Sequence, residues 1–271
     1  MDAGEIVITS RDNAQARAAR AVRDGKQREL IFIEGRRLCD EAISAGLIIE
    51  EAFFTEEFAR DERHAPILQA LRHAIGDRSH IVSERVIDFI SDTKTPQGVV
   101  LLARRPAAQA SVLESLTKKN PLLIILHRIN NPLNAGSILR TAEAAGAHGA
   151  ITTEGSIDIF SPKALRGAMG SSFRLPVWTK ASYAEALAWC RARKIVTVAT
   201  DVRGERLYSE IDWRKPVALV IGAEANGLTN DETAAADEAV RIPMHAPVES
   251  LNVGVATAVV LYEAARQRSS F

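Results

Sequence analysis

Ile129-Asn-Asn-Pro-Leu-Asn134-Ala-Gly136-Ser-Ile-Leu-Arg140 lies between an apolar run, Leu122 to Leu126, and a small-residue run that ends at Gly146. Five consecutive apolar residues are too short for a soluble helix and suit a buried strand, while the second run has helical character and stops at a glycine. Asn130 to Gly136 therefore reads as a strand-to-helix turn, with the helix over 136–145. Such a turn puts polar side chains and free backbone N–H groups at the carboxyl edge of a sheet, where open α/β sheets bind ligands. Taken alone, the stretch reads equally well as a capped loop with a solvated arginine.

Downstream the pattern alternates strictly. Strands are expected near 149–152, 175–178, 195–200, 217–221 and 240–244. Helices are expected from Ser161-Pro162, with serine as cap and proline at the first position, over Tyr183 to Arg191, and over Leu251 to Arg266. Five or six strands with crossover helices imply a mostly parallel sheet. Upstream, residues 1–105 alternate shorter β and α segments and read as a small α/β sandwich. Between them, 106–118 has a proline and small residues nearby and no clear apolar period, so it reads as a linker to a second domain over 119–271.

Lysine plus arginine and aspartate plus glutamate both number 34 in the 271 residues, so any nucleic-acid partner needs a local patch. One exists. Arg11 to Arg37 holds eight basic residues against four acidic ones, whereas Asp40 to Glu62 holds eight acids against one arginine. The basic segment could track a phosphate backbone or could be the wet side of a helix and its exit. Two distant cysteines, Cys39 and Cys190, suggest a reduced compartment without a disulfide framework. Scattered histidines argue against a metal site, and the absence of a long apolar run against a membrane span. The expected location is the cytoplasm. Glycine fingerprints of dinucleotide enzymes, phosphate loops and serine hydrolases are absent from the sequence.

Three stretches in order are more specific than any one. They are Asn130 to Ala142, Ile221-Gly222-Ala-Glu224-Ala-Asn-Gly227-Leu, and Ile242-Pro-Met-His-Ala-Pro-Val-Glu-Ser250-Leu251-Asn252-Val253 with the helix to Glu263. Together they resemble the motifs of the SpoU/TrmH family of RNA ribose methyltransferases, in the SPOUT superfamily. Ser161-Pro-Lys163-Ala-Leu-Arg166-Gly-Ala-Met-Gly170 resembles that family's middle segment. The segment from Lys26 to Leu38 is similar to the ribosomal-protein-like RNA-binding domain that precedes the catalytic domain in many members.

The resemblance implies a C-terminal parallel sheet with a deep trefoil knot and S-adenosylmethionine as cofactor. It implies cofactor contacts from Thr200, Gly222, Gly227, Ile242, Met244, Leu251 and Val253. The two glycines would let backbone approach the ligand, and Ile242 and Leu251 would wall an adenine or simply pack the core. It implies attack of a ribose 2′-hydroxyl on the cofactor methyl group, with Arg140 as the catalytic residue and Asn134, Glu224, Ser250 and Asn252 as its polar partners. Guanidinium groups keep their protons, so Arg140 suits a charge clamp better than a base. Glu224 would hold Arg140, or a loop backbone, or staple the fold. RNA contacts are expected from Arg17, Lys26, Arg28, Arg37, Lys163 and Arg166. The substrate expected is ribosomal RNA, with transfer RNA second and a non-catalytic RNA-binding protein as the competing class. A homodimer through the C-terminal domain is expected, with Arg140 acting across the interface.

Overall fold

A computed structural model describes residues 7–118 and 120–269, so the expected domain limits at 1, 119 and 271 lie outside the described residues. In chain order the first elements are α1 (Ala14–Arg23), β1 (Leu30–Glu34), α2 (Arg36–Ser44), β2 (Ile49–Thr55), α3 (Glu56–Arg60), α4 (Ala65–Ile75), β3 (Ser79–Val82), α5 (Glu84–Ile90) and β4 (Val99–Arg104). Then come β5 (Leu122–Leu126), α6 (Pro132–Ala144), β6 (Gly149–Thr153), α7 (Pro162–Ala168), α8 (Ser171–Arg174), β7 (Val177–Ala181) and α9 (Tyr183–Ala192). The last are β8 (Val196–Thr200), β9 (Arg206–Leu207), β10 (Val217–Ile221), α10 (Asn230–Ala235), β11 (Glu238–Arg241) and α11 (Val253–Arg268).

The chain divides into two compact units, one of Met1–Pro106 with Phe160–Phe173 and one of Ala107–Ile159 with Arg174–Phe271. The first unit carries a four-stranded sheet in the order β1-β4-β2-β3, antiparallel except for the β2–β3 pair. Residues alternate across its faces. Phe32, Phe53, Val100 and Leu102 form a core with α1 and α5, through Ala16, Ala19, Val86 and Ile87. In the same unit Arg166 on α7 is paired with Asp92 at 2.6 Å and lies 4.0 Å from buried Glu34. Glu34 in turn accepts from the Asp92 backbone at 2.9 Å.

The second unit carries seven parallel strands in the order β7-β6-β5-β10-β8-β11-β9. β5, β6 and β10 are buried along their whole length, the pattern of a parallel sheet covered on both faces. α9 packs on one side through Ala186, Leu187 and Cys190 against Leu123, Ile125, Ile151 and Val220. α11 packs against α6, and a Cβ on Gly254 would lie 3.2 Å from the Ser137 hydroxyl. The far end of α11 is tied by Arg268, which donates to the carbonyls of Asn120 at 2.7 Å and Trp213 at 2.5 Å.

Three local expectations are corrected. The helix expected from Gly136 begins at Pro132, because the Asn131 side chain caps it by accepting from Leu133 N at 2.9 Å and Pro132 takes the first position. The stretch expected as a linker contains a 3₁₀ helix, Ala110–Lys118, whose Leu113 is fully buried in the core of the second unit. Its sparse apolar residues sit at a tight helical spacing that a strand template misses. Finally, the Gly170-Ser-Ser segment is not a terminus alone: Met169 and Gly170 adopt left-handed backbone, φ 47° and 92°, and α8 starts at Ser171.

Candidate active site

β5, β10, β8 and β11 are successive neighbours in a parallel sheet, so their carboxyl ends lie along one edge. Thr200 ends β8, Gly222 follows β10, and Ile242 follows β11. Three residues from three separate stretches of sequence thus share that edge. The Thr200 hydroxyl donates to the Val220 carbonyl at 3.2 Å, so it also fastens β8 to β10.

The turn after β10 closes on itself. Gly227 donates its N–H to the Ala223 carbonyl at 2.9 Å, and its backbone is left-handed at φ 61°. Gly222 is buried against that closure: a Cβ there would sit 2.6 Å from Gly227 C and 2.7 Å from Leu228 N. The Gly222 backbone itself is not left-handed, so its glycine is required by close approach and that of Gly227 by conformation.

Glu224 projects from this turn to the start of α6. Its carboxylate accepts from Asn130 N at 3.2 Å, Asn131 N at 3.1 Å and Asn134 Nδ2 at 3.3 Å. Asn252, the cap of α11, donates through Nδ2 to Asn134 Oδ1 at 3.4 Å while its own Oδ1 accepts from Gly254 N at 2.9 Å. One residue from each of the three stretches therefore joins a single hydrogen-bonded cluster. Desolvation opposes the charge on Glu224, but hydrogen bonds from its own backbone, Asn131, Asn130 and Asn134 outweigh it and hold the carboxyl below its ordinary range. The carboxylate is thus an anionic anchor for the loop backbone and the Asn134 amide.

Arg140 does not join that cluster. It is exposed on α6, six residues beyond Asn134 and so about 9 Å further along the helix axis. At 100° per residue it also faces a different direction, which leaves its guanidinium open to a phosphate or to another chain. Ser250 and Leu251 are exposed and Met244 is half-buried in the loop before α11, and Val253, also half-buried, opens α11. Ile242 is half-buried and Leu251 is 38% exposed, so neither is simply core. Half-covered apolar side chains beside tightly apposed backbone suit the adenine and backbone-read edge of S-adenosylmethionine.

The six basic residues expected on RNA all belong to the first unit. Arg17, Lys26, Arg28, Arg37 and Lys163 are exposed, whereas Arg166 is half-buried and already neutralised by Asp92. That pairing is non-local, so no reading of its own stretch could reveal it. The sequence reading also passed over Asn131, whose Asn-Pro cap signal was present.

Both parts of the chain match known families. Residues 121–262 match the SpoU rRNA methylase family, and residues 32–109 match the RNA 2′-O ribose methyltransferase substrate-binding domain. A protein of Bordetella pertussis named 23S rRNA (guanosine-2′-O-)-methyltransferase RlmB is 34% identical over 79% of this chain and 88% of its own. A Synechocystis protein described as an uncharacterized tRNA/rRNA methyltransferase is 31% identical over 96% of this chain and 94% of its own. The crystal structure of an S-adenosylmethionine-bound rRNA methyltransferase from Sinorhizobium meliloti covers 98% of this chain and 100% of its own, with a TM-score of 0.84 and 30% identity.

Proposed function

We propose one reaction from one premise: the chain belongs to the SpoU rRNA methylase family. It is an S-adenosylmethionine-dependent RNA methyltransferase that acts on a ribose 2′-hydroxyl, with ribosomal RNA as substrate. The observation that carries the assignment of residues is the Asn134–Glu224–Asn252 cluster at the carboxyl edge of β10 and β5.

The cofactor supplies an electrophilic methyl group. This chain's residues hold it and prepare the hydroxyl. Thr200, Gly222, Gly227, Ile242, Met244, Leu251 and Val253 form the holding surface, with backbone groups reading the adenine edge. A ribose hydroxyl is a weak nucleophile at neutral pH, so the charge that develops on its oxygen needs a partner. Arg140 provides a positive fork for that oxygen and the neighbouring phosphate. Asn134, with its amide direction fixed by Glu224 and Asn252, orients the ribose, and Ser250 stands at the same mouth. The knot implied by the family resemblance belongs to this reading.

The first unit selects RNA in this scheme, through Arg17, Lys26, Arg28, Arg37 and Lys163. The enzyme works as a homodimer. Supporting this, Leu133, Val248, Leu251, Val255 and Tyr262 leave 38–57% of their surface exposed on α6, α11 and the loop between β11 and α11. A cytoplasmic location fits two buried free cysteines and the lack of any helix, among the described residues, long and apolar enough to cross a membrane.

The test is a map of 2′-O-methyl sites in total RNA with and without the protein. One ribosomal position should gain the mark with wild type and lose it with Arg140→Ala, while calorimetry shows S-adenosylmethionine binding in both. No affinity for S-adenosylmethionine would favour a non-catalytic RNA-binding protein instead.

A further inference from the structure

Two loops meet at the candidate site, one after β5 and one after β10. The strands pair in register up to Leu126 and Ile221, and His127 N donates to the Ile221 carbonyl at 2.8 Å, so both loops leave the sheet at the same level. Beyond that point they part around a cavity of about 410 Å³, lined by Arg128 and Asn130 from the first loop and by Glu224, Asn226 and Thr229 from the second. Side chains do not fill this gap, so packing across it does not set the spacing of the loops. Two carboxylates cross-link them instead.

Glu224 reaches from the second loop to Asn130, Asn131 and Asn134. Glu232, on α10, makes the other crossing. Its Oε2 accepts from Thr229 N at 2.9 Å, and the Thr229 hydroxyl accepts from Glu232 N at 3.3 Å, which fixes the exit of the β10 turn. Its Oε1 lies 3.1 Å from His127 Nε2 and takes Nη2 of Arg128. Neighbouring elements brace the same point. Tyr183, which opens α9, donates its hydroxyl to the Glu232 carbonyl at 2.9 Å and sets its ring 4.4 Å from that of His127. Thr153 Oγ1, at the end of β6, accepts from Arg128 N at 3.2 Å and lies 2.9 Å from His127 Nδ1.

Arg128 shows what this bracing holds. Its backbone is left-handed at φ 54°, and its Nε is buried with no acceptor among the described residues. Both features oppose folding. A connection that served stability alone would favour glycine at this position. Strain of this kind persists where the surroundings over-determine it, and it concentrates at functional sites. Asn130 is two residues further on, so the Arg128 backbone sets the direction in which the chain enters the Asn130 to Asn134 loop. We infer that Glu232 is a positioning residue for methyl transfer: through Arg128 it fixes the start of that loop, and with it Asn134, relative to the cofactor turn. The inference rests on the RNA ribose methyltransferase reading above. Such placement matters to rate, because an error of about 1 Å far from the chemistry can cost about a hundredfold.

The experiment times a single turnover of methyl transfer from labelled S-adenosylmethionine to total RNA of cells lacking the protein, with the full chain. Cofactor affinity is read by calorimetry and stability by urea unfolding. Glu232→Gln keeps the size of the side chain but removes the charge that holds Arg128. Arg128→Gly removes the fork and relieves the backbone, so it carries the test if Glu232→Gln fails to fold. Each variant should lower the rate at saturating RNA about tenfold or more, with the half-saturating RNA concentration and the S-adenosylmethionine dissociation constant within about twofold of wild type. Millimolar guanidinium, filling the place left by the fork, should restore part of the rate to Arg128→Gly and leave wild type unchanged. A wild-type rate in either folded variant, a loss that follows cofactor affinity, or no recovery with guanidinium would leave Glu232 a structural tie only and overturn the inference. Those results leave the methyltransferase assignment standing. Its own failure is distinct, since wild type would then neither bind S-adenosylmethionine nor methylate RNA.

Discussion

Two glycines of one turn separate close approach from backbone conformation at the residue scale. Any side chain at Gly222 meets the backbone of Gly227 and Leu228 under 3 Å away, and backbone cannot swing aside as a side chain can. Gly222→Ala should therefore cost about 1–3 kcal/mol by overpacking and open the turn, weakening S-adenosylmethionine binding in parallel. Gly227→Ala meets nothing within 4 Å and bears only the left-handed φ, so its cost should be about 1–2 kcal/mol with a smaller loss of cofactor affinity. Urea unfolding and calorimetry on the two variants check this, and an unchanged midpoint for Gly222→Ala would remove the crowding argument. The sequence marks both glycines as places where backbone approaches a ligand, and the crowding at Gly222 comes from the turn's own backbone. Similarly, Glu224 is legible as a functional acid, but its choice of loop backbone and Asn134 over Arg140 depends on how α6 meets the β10 turn. No local pattern encodes that.

Strands and helices of the second unit are legible because burial on both faces writes uninterrupted apolar runs, as in Leu122 to Leu126 and Val217 to Ile221. Elements fastened by side chains from afar are not. The turn after β8 is such a case. The Asp201 carboxylate accepts from Arg203 Nη2 at 2.6 Å, Arg203 N at 2.9 Å and the Thr233 hydroxyl of α10 at 2.9 Å. Arg203 above all, with Thr233, lowers its pKa to about 2 against desolvation. A depressed carboxyl stabilises the fold above its unfolded pKa of about 4, and that stabilisation is lost as pH falls towards the folded value. Asp201→Asn should thus be about 1–2 kcal/mol less stable than wild type at pH 7, after allowance for solvent screening around Arg203. The gap should narrow as pH falls below about 4. Urea midpoints between pH 7 and pH 3 decide it: a gap constant across that range would mean the carboxylate charge contributes nothing. Because Asp201 follows Thr200 directly, the same variant should loosen the cofactor edge and raise the S-adenosylmethionine dissociation constant.

For the whole molecule, the division of the chain bears on how its parts can be separated and shared. The composition of the chain leads to a simple boundary at 105–118, yet Phe160–Phe173 folds with the first unit and Leu113 is buried in the second. A fragment beginning at Ala107 should bind S-adenosylmethionine and lose most RNA affinity, but proteases should cut it within 160–173, where Ala164, Leu165 and Ala168 lose their packing. Resistance of that segment would show that it folds without residues 1–106. Sharing between copies is the larger question, since Arg140 lies outside the Asn134–Glu224–Asn252 cluster of its own chain. A two-fold pairing through α6, α11 and the loop before α11 would cover the exposed Leu133, Val255 and Tyr262 and carry each Arg140 towards the partner's cluster, building two equivalent composite sites. Complementation separates the alternatives. Arg140→Ala should bind cofactor but methylate RNA at least a hundredfold more slowly, about the cost of removing one oxyanion donor. Gly222→Ala should be impaired through weak cofactor binding. When the two variants, carrying different tags, exchange subunits, each heterodimer holds one site with an intact β10 turn from the Arg140→Ala chain and an intact Arg140 from the other. Activity should then rise well above the sum of the separate variants if the arginine acts across the interface. If purified heterodimers show no such gain, each Arg140 serves the site of its own chain, and the apolar face would have to be explained without a shared active site.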